Sequence, residues 1–348
     1  MANGRKTVTD SFQIGNTTIL PGERATIHLP LARLYTYADI NMPVHVIRNK
    51  RAGPVLLVCA AVHGDEINGV EIIRRLLKMK LLNRLRGTLI VVPVVNVYGF
   101  ISRTRYLPDR RDLNRSFPGT SNGSLASQIA HLIMDELAAH CTHGIDLHTG
   151  SNHRTNLPQI RACLDDPETA RLAKTFGAPV VLDANLRDGS LREAMNEFGV
   201  PILLYEAGEA LRFDEASIRV GLRGIINVMR AIGQLPTRSA EKGVVEPLVA
   251  RSTKWIRASK SGMIHSSVKL GTHVHKGDLL SIVSDPGGEN EEPILSPTSG
   301  IVIGSLNLPL VHRGDAIFHI ARFDEADSID PTLEGYEDGL ELDDFEPM

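Results

Sequence analysis

Cysteine is scarce in this 348-residue chain: Cys59, Cys141 and Cys163 are the whole set. An odd, sparse trio argues against a disulfide framework and for a reducing compartment. Long apolar runs are missing too. None approaches the roughly 18–20 residues that span a bilayer. The opening MANGRKTVTDSFQIG lacks the apolar stretch of a signal peptide. The expectation is a cytoplasmic protein with no membrane partner. There is also no excess of charge. Thirty-eight Lys and Arg against 41 Asp and Glu leave a net charge of −3. That balance carries no footprint for nucleic acid.

What is present is core-forming material. Apolar residues make up 42% of the chain, which supports a sizeable core and argues against global disorder. The length admits two domains or one large one. Charge is unevenly spread. Residues 323–348 hold eleven acids and no Lys or Arg, and read as a solvated acidic tail. Residues 1–322 therefore carry +8, a mildly basic body suited to small anionic substrates.

From about residue 54 to 235, strand-like and helix-like segments alternate. PVLLVCAAV is a continuous apolar run, as in a strand buried on both faces. Residues 66–82 follow with helical spacing at Ile67, Val70, Ile73, Leu76 and Leu77. TLIVVPVV (88–95) is a second buried strand, whose Pro93 points to an edge or a bulge. A long polar loop spans 96–123. Residues 124–140 form a helix with Ser124 as N-cap. GIDLH (144–148), QIRACL, PVVLD and PILLYEAG (201–208) are strands. SLREAMNEFG is a helix ended by Gly199, and 215–235 is a long helix. This alternation predicts an α/β domain with a mostly parallel sheet. In the N-terminal 1–45, RATIHLPLARL predicts a β segment packed on a catalytic domain at 46–240.

The texture changes after Leu235. Residues 245–321 lose helical periodicity and repeat internally. SGMIHSSVKLGTHVHKGDLLSI (261–282) parallels SGIVIGSLNLPLVHRGDAIFHI (299–320). Two similar halves predict a small pseudo-twofold β-barrel or sandwich over 241–322.

In a doubly wound sheet, functional groups gather beyond the carboxyl ends of strands. His63 follows the first strand, His148 follows GIDL, and Glu206 ends PILLY. Glu66 joins them from the first helical turn. Two His and one carboxylate hold a tetrahedral zinc with one position open for water, whose pKa falls to about 7. Glu206 is then a base that is not a ligand, and Asp146 a partner behind His148. The plainer alternative is a strand that ends in a solvated turn, a His148 bonded to backbone and a salt-bridged Glu206. The loop 102–119, SRTRYLPDRRDLNRSFPG, carries five arginines, whose forks match carboxylates; its plain alternative pairs them with Asp109 and Asp112. In THVHKG, the repeat accounts for His275 and His312 as equivalent scaffold positions, without a second metal site.

Together HGDE, DLNRSFPG, DLHTG and YEAG resemble the succinylglutamate desuccinylase and aspartoacylase family, zinc amidohydrolases related to the zinc carboxypeptidases. The resemblance spans about residues 50–235. It implies that His63, Glu66 and His148 ligate one zinc per chain, and that Glu206 is the general base. It implies that Asn114 and Arg115 hold the substrate carboxylate and that Arg105 polarises the scissile carbonyl. It places a zinc-carboxypeptidase-like sheet beside a small C-terminal all-β domain. That domain also looks like a biotinyl or lipoyl carrier fold, but the hairpin SIVSDPGGENEEPILSP has no lysine to modify. The residues after His148, TGSNHRTNLPQIR, match no acyl-pocket signature, and Arg154 there is a candidate reader of the acyl end.

The expected activity is deacylation of a small-molecule N-acyl amino acid. The alternatives are a zinc carboxypeptidase acting on short peptides and a non-catalytic metal- or ligand-binding protein. The acyl group, the amino acid and any homo-oligomer are left open.

Overall fold

The computed structural model describes residues 12–151, 153–237 and 246–323. The acidic tail from residue 324 onward lies outside the described residues. A short hairpin, β1 (Phe12–Ile14) and β2 (Thr17–Ile19), precedes the ten-residue β3 (Arg24–Arg33) and β4 (Asp39–Arg48). Along β3, exposed and buried residues alternate around Ile27 and Leu29, the pattern of a strand with one wet face. Then come β5 (Val55–Ala60), α1 (Asn68–Leu77), β6 (Thr88–Val92), α2 (Val97–Ser102), α3 (Leu125–Glu136), β7 (His143–Gly150) and β8 (Arg154–Ala162). The α/β part closes with α4 (Pro167–Phe176), β9 (Val180–Asp183), α5 (Leu191–Glu197), β10 (Ile202–Glu209) and α6 (Glu215–Ala231).

Its centre is parallel. β10, β7, β5 and β6 lie side by side in that order, and β4, β3 and β8 extend them antiparallel. One face packs on α1, α4 and α6 through Ile72, Phe176 and Ile225. The other packs on α3 and α5 through Ile129, Ile133 and Met195. Side chains cap these helices: Ser124, the N-cap read from sequence, and Asp166, Ser190 and Asp214 each accept from a backbone amide three residues on.

Three local expectations need correction. The first helix starts at Asn68, not Glu66, and ends at Leu77, because Met79 is extended (φ −77°, ψ 128°). Glu66 thus sits in a turn, its amide bonded to His63 O at 3.1 Å. Pro93 marks neither an edge nor a bulge. β6 stops at Val92, inside the sheet, and the proline falls where no ladder amide is needed. The loop 96–123 contains α2, capped by Asn96 Oδ1 on Gly99 N at 2.8 Å.

The C-terminal strands are β11 (Leu248–Ala250), β12 (Ser252–Arg257), β13 (Gly262–Ser266), β14 (His273–Val274), β15 (Leu279–Ser284), β16 (Glu292–Leu295), β17 (Gly300–Leu306), β18 (Leu310–Val311) and β19 (Ala316–Arg322). The repeat is visible in them. β13, β14 and β15 correspond to β17, β18 and β19, and the halves exchange their short strands: β14 pairs with β17 and β18 with β13. Each Val-His-(Lys/Arg)-Gly-Asp is the same turn. His275 N donates to Asp278 Oδ2 at 2.7 Å and His312 N to Asp315 Oδ2 at 2.8 Å. One half is continuous with the large sheet. β17 pairs antiparallel with β8, and β19 and β12 follow, while β16, β15, β13 and β18 form a separate sheet.

Candidate active site

Strand order reverses between β5 and β7: β6, next in sequence after β5, lies on one side of β5 and β7 on the other. A crevice opens beyond the carboxyl ends of strands at such a point. His63 and Glu66 leave β5 there, and His148 stands near the end of β7. Gly64 between the first two has its backbone against that of Gly99, where a Cβ would lie 2.0 Å from Gly99 C. The tight turn that joins His63 to Glu66 therefore needs glycine.

His63, Glu66 and His148 are all buried, and one ligand atom from each lies within 4.8 Å of the others. Glu66 Oε1 is 2.8 Å from His63 Nδ1, and Oε2 is 2.7 Å from His148 Nδ1. Thr149 N donates to Oε2 at 3.1 Å. The far nitrogen of each imidazole meets a carboxylate: His148 Nε2 is 2.7 Å from Asp146, and His63 Nε2 is 3.1 Å from Asp112. Asp146, raised as a partner of His148 from sequence, occupies that place. Burial alone would raise the Glu66 carboxyl, but the two imidazoles outweigh it and hold the group far below the carboxylate range. Burial likewise opposes a charged His148, yet Asp146 and Glu66 raise its pKa well above that of free histidine.

Arg105 reaches the same cluster. Its Nη1 is 3.1 Å from His63 Nδ1 and 3.3 Å from Glu66 Oε1, while Asp112 takes Nε and Nη2 at 3.2 and 2.9 Å. Asn114 and Arg115 follow on a short 3₁₀ turn, capped by Asp112. Asn114 Oδ1 accepts from Leu191 N at 2.9 Å, which fastens this loop to α5. Glu206 on β10 stands in register with His148 on β7. Its Oε2 accepts from Asn156 Nδ2 at 2.9 Å and forms an ion pair with Arg161 Nε at 3.0 Å.

His63, Glu66, Arg105, Asn114, Arg115, His148 and Glu206, with Asn156 and Arg161, line one cavity of about 500 Å³. Arg154, Arg187, Arg192 and Arg257 line it as well. Thr253, Trp255, Arg257 and Ala316 bring the C-terminal strands to its wall. Burial and the nearby charge of Arg161 push the Arg187 and Arg192 pKa values down, the mark of crowded cations. His273 and His275 meet edge to face at 4.7 Å in the C-terminal repeat, with no third ligand grouped beside them among the described residues.

Sequence reasoning named Asp112 only as a partner for loop arginines, and missed Asn156, Arg161, Arg187, Arg192 and Trp255. A lone arginine in the apolar QIRACL was a usable signal for Arg161. Asn156 carried none.

Residues 52–232 match the succinylglutamate desuccinylase/aspartoacylase catalytic domain. N-alpha-acetyl-L-2,4-diaminobutyric acid deacetylase of Halomonas elongata is 26% identical over 305 residues, covering 83% of this chain and 88% of that protein. A succinylglutamate desuccinylase/aspartoacylase from Rhodobacter sphaeroides superposes with TM-score 0.77 at 25% identity, over 86% of this chain and 96% of the other. The product-bound ectoine utilization protein EutE (DoeB) of Ruegeria pomeroyi gives 0.76 at 26%, over 86% and 97%. With the catalytic domain matched across more than half its length, this chain belongs to the succinylglutamate desuccinylase/aspartoacylase family.

Proposed function

We propose that this protein is a zinc-dependent amidohydrolase that removes the acyl group from an N-acyl amino acid. The observation that carries the reading is the His63, Glu66 and His148 cluster with Glu206 beside it in one arginine-lined cavity. The donor set fits zinc. Each imidazole rests its Nε2 against a carboxylate, Asp112 or Asp146, and turns its Nδ1 toward Glu66, so that the two Nδ1 atoms and the Glu66 carboxylate face one another as a ligand set would. When bound, the zinc would supply Lewis acidity toward the acyl carbonyl and a water acidified to a pKa of about 7.

The rest falls to the chain. Glu206 would take the proton of the attacking water and return it to the leaving amine. Arg105, next to the ligands, would donate to the developing oxyanion. Asn114 and Arg115 would hold the free carboxylate of the amino acid. Seven arginines against Glu66, Asp183 and Glu206 on the cavity wall favour an anionic substrate. The wall from the C-terminal strands favours a small molecule over a polypeptide.

The test offers the zinc-loaded protein a panel of N-acyl amino acids and a set of longer peptides. Release of amino acid from the first, and not the second, is expected. Glu206→Gln should keep its zinc and lose about 10²–10⁴-fold in kcat, the usual size of general acid–base catalysis. Efficient trimming of long peptides would promote a carboxypeptidase reading. Tight zinc with no hydrolysis of any substrate would leave a binding protein.

A further inference from the structure

We propose that Asn156 is a positioning residue for Glu206, aimed at it by a bulge in β8. The inference rests on the reading of Glu206 as the general base. Side chains alternate faces along a regular strand, so residues five apart point opposite ways. Asn156 and Arg161 are five apart on β8, yet both line the cavity and both meet Glu206 Oε2. The register shows how. Glu206 of β10 pairs with Gln159 of β8, but Gly208 pairs with Asn156. Two steps on β10 thus match three on β8. The extra residue is a bulge, which reverses the alternation and re-aims what lies beyond it. Pro158, with no amide to donate, falls inside it. N-terminal to the bulge Arg154 and Asn156 line the cavity, and C-terminal to it Arg161 does.

The other side of Asn156 is shaped for the same purpose. It pairs with Gly304 of β17, the strand that joins the C-terminal half to the sheet. A Cβ on Gly304 would lie 3.0 Å from Asn156 Oδ1 and 3.2 Å from His319 Cβ. Glycine leaves room there for the amide. Asn156 is 7% exposed, so its amide has little water to turn to. Its Nδ2 donates to Oε2 without bringing charge or a labile proton. That bond would fix the carboxylate plane and keep one oxygen occupied. Arg161 also neutralises Oε2, but its contact is an ion pair and not an aligned hydrogen bond, so orientation falls to Asn156.

The experiment is Asn156→Asp in the full-length zinc protein, with N-acyl amino acid hydrolysis as readout. Asp has the shape of Asn but presents an acceptor where Glu206 needs a donor. Misplacement of a reacting group by about 1 Å costs on the order of 10²-fold. The expected result is a kcat about 10–100-fold lower, on the same scale, with KM, zinc content and Tm little changed. A packing role predicts a wild-type kcat, because Asp fills the same space, and that result would overturn the proposal. Should Asn156→Asp not fold, Asn156→Ala decides by the same split: a fall in kcat at unchanged KM and zinc content supports it, and a wild-type kcat overturns it. Glu206→Gln is measured alongside. Full activity there would overturn the base and the positioning role together. Loss there with a wild-type Asn156→Asp overturns the positioning role alone.

Discussion

Lowering the pH from 7 to 5 should destabilise the folded protein by about 2 kcal/mol through a single side chain, His319. This residue of β19 is 1% exposed and stacks flat on Trp255, with ring centroids 4.1 Å apart and planes 3° from parallel. Among the described residues neither ring nitrogen has a hydrogen-bond partner. Burial first, then the charges of Arg161 and Arg187, push its pKa down to about 3. In the unfolded chain the group titrates near 6.5, so between the two values only the unfolded state binds the proton. Stability is therefore unaffected above about pH 6.5 and falls as pH drops below it, by about 1.4 kcal/mol per unit. From pH 7 to 5 the sum is about 2 kcal/mol. His319→Phe keeps a flat ring on Trp255 and cannot titrate. Urea unfolding of both proteins at the two pH values isolates the effect, since the other titrating groups are shared. The stability difference between them should move toward the variant by about 2 kcal/mol at pH 5. Two curves shifted in parallel would refute the reasoning.

Three other outcomes are expected. His63→Ala or His148→Ala should lose zinc and activity together, and elemental analysis showing one zinc per chain in both variants would remove them from the ligand set. Arg115→Ala should chiefly raise KM, because anchoring a carboxylate is binding shared by ground and transition states; an unchanged KM for a carboxylate-bearing substrate would rule the anchor out. Glu71 accepts from Arg74 Nε at 2.5 Å and Arg75 Nε at 2.7 Å on α1, and the Arg74 bond leads in lowering its pKa. Glu71→Gln should cost about 1–2 kcal/mol at pH 7. In the wild type that contribution should fade as pH falls below about 4.5, and equal acid sensitivity in thermal melts of the two proteins would contradict it.

The central strands were legible because both faces are buried: PVLLVCA and TLIVV read as apolar runs, and PILLY likewise. Their ends were legible for the opposite reason. His63, His148 and Glu206 are polar where core has just stopped, and strand order brings those ends together. The sheet order across β17 and β8 was not legible. It rests on Gly304 pairing with Asn156, residues far apart in sequence with no shared local pattern. The repeat predicted two like halves, and the swap of β14 and β18 between them agrees with it. It did not predict that one half would join the large sheet. Glu66 was placed one turn too far into α1, because apolar spacing fits a helix as well as the turn before it. Asn156 was hidden by its bulge: counting by twos from Arg161 assigns it to the wrong face.

Continuity of the sheet also changes how the C-terminal strands should be understood. A swinging carrier needs a free unit and a modifiable lysine, and the hairpin between β15 and β16 has no lysine. Here Trp255, His319 and Gly304 lie on neighbouring strands that lead through Asn156 toward Glu206 and His148. A rigid wall of this kind would bring aromatic and arginine side chains to the cavity without a hinge. It also decides how its role can be tested. Removing residues 246–323 would take β17 from β8 and leave an unpaired edge with Asn156 on it. Lost activity would then report a displaced Asn156 as readily as a lost wall. A substitution that leaves β17 in place, such as Trp255→Ala, separates the two: a change in which N-acyl amino acids are cleaved, with kcat on the best of them kept, belongs to the wall alone.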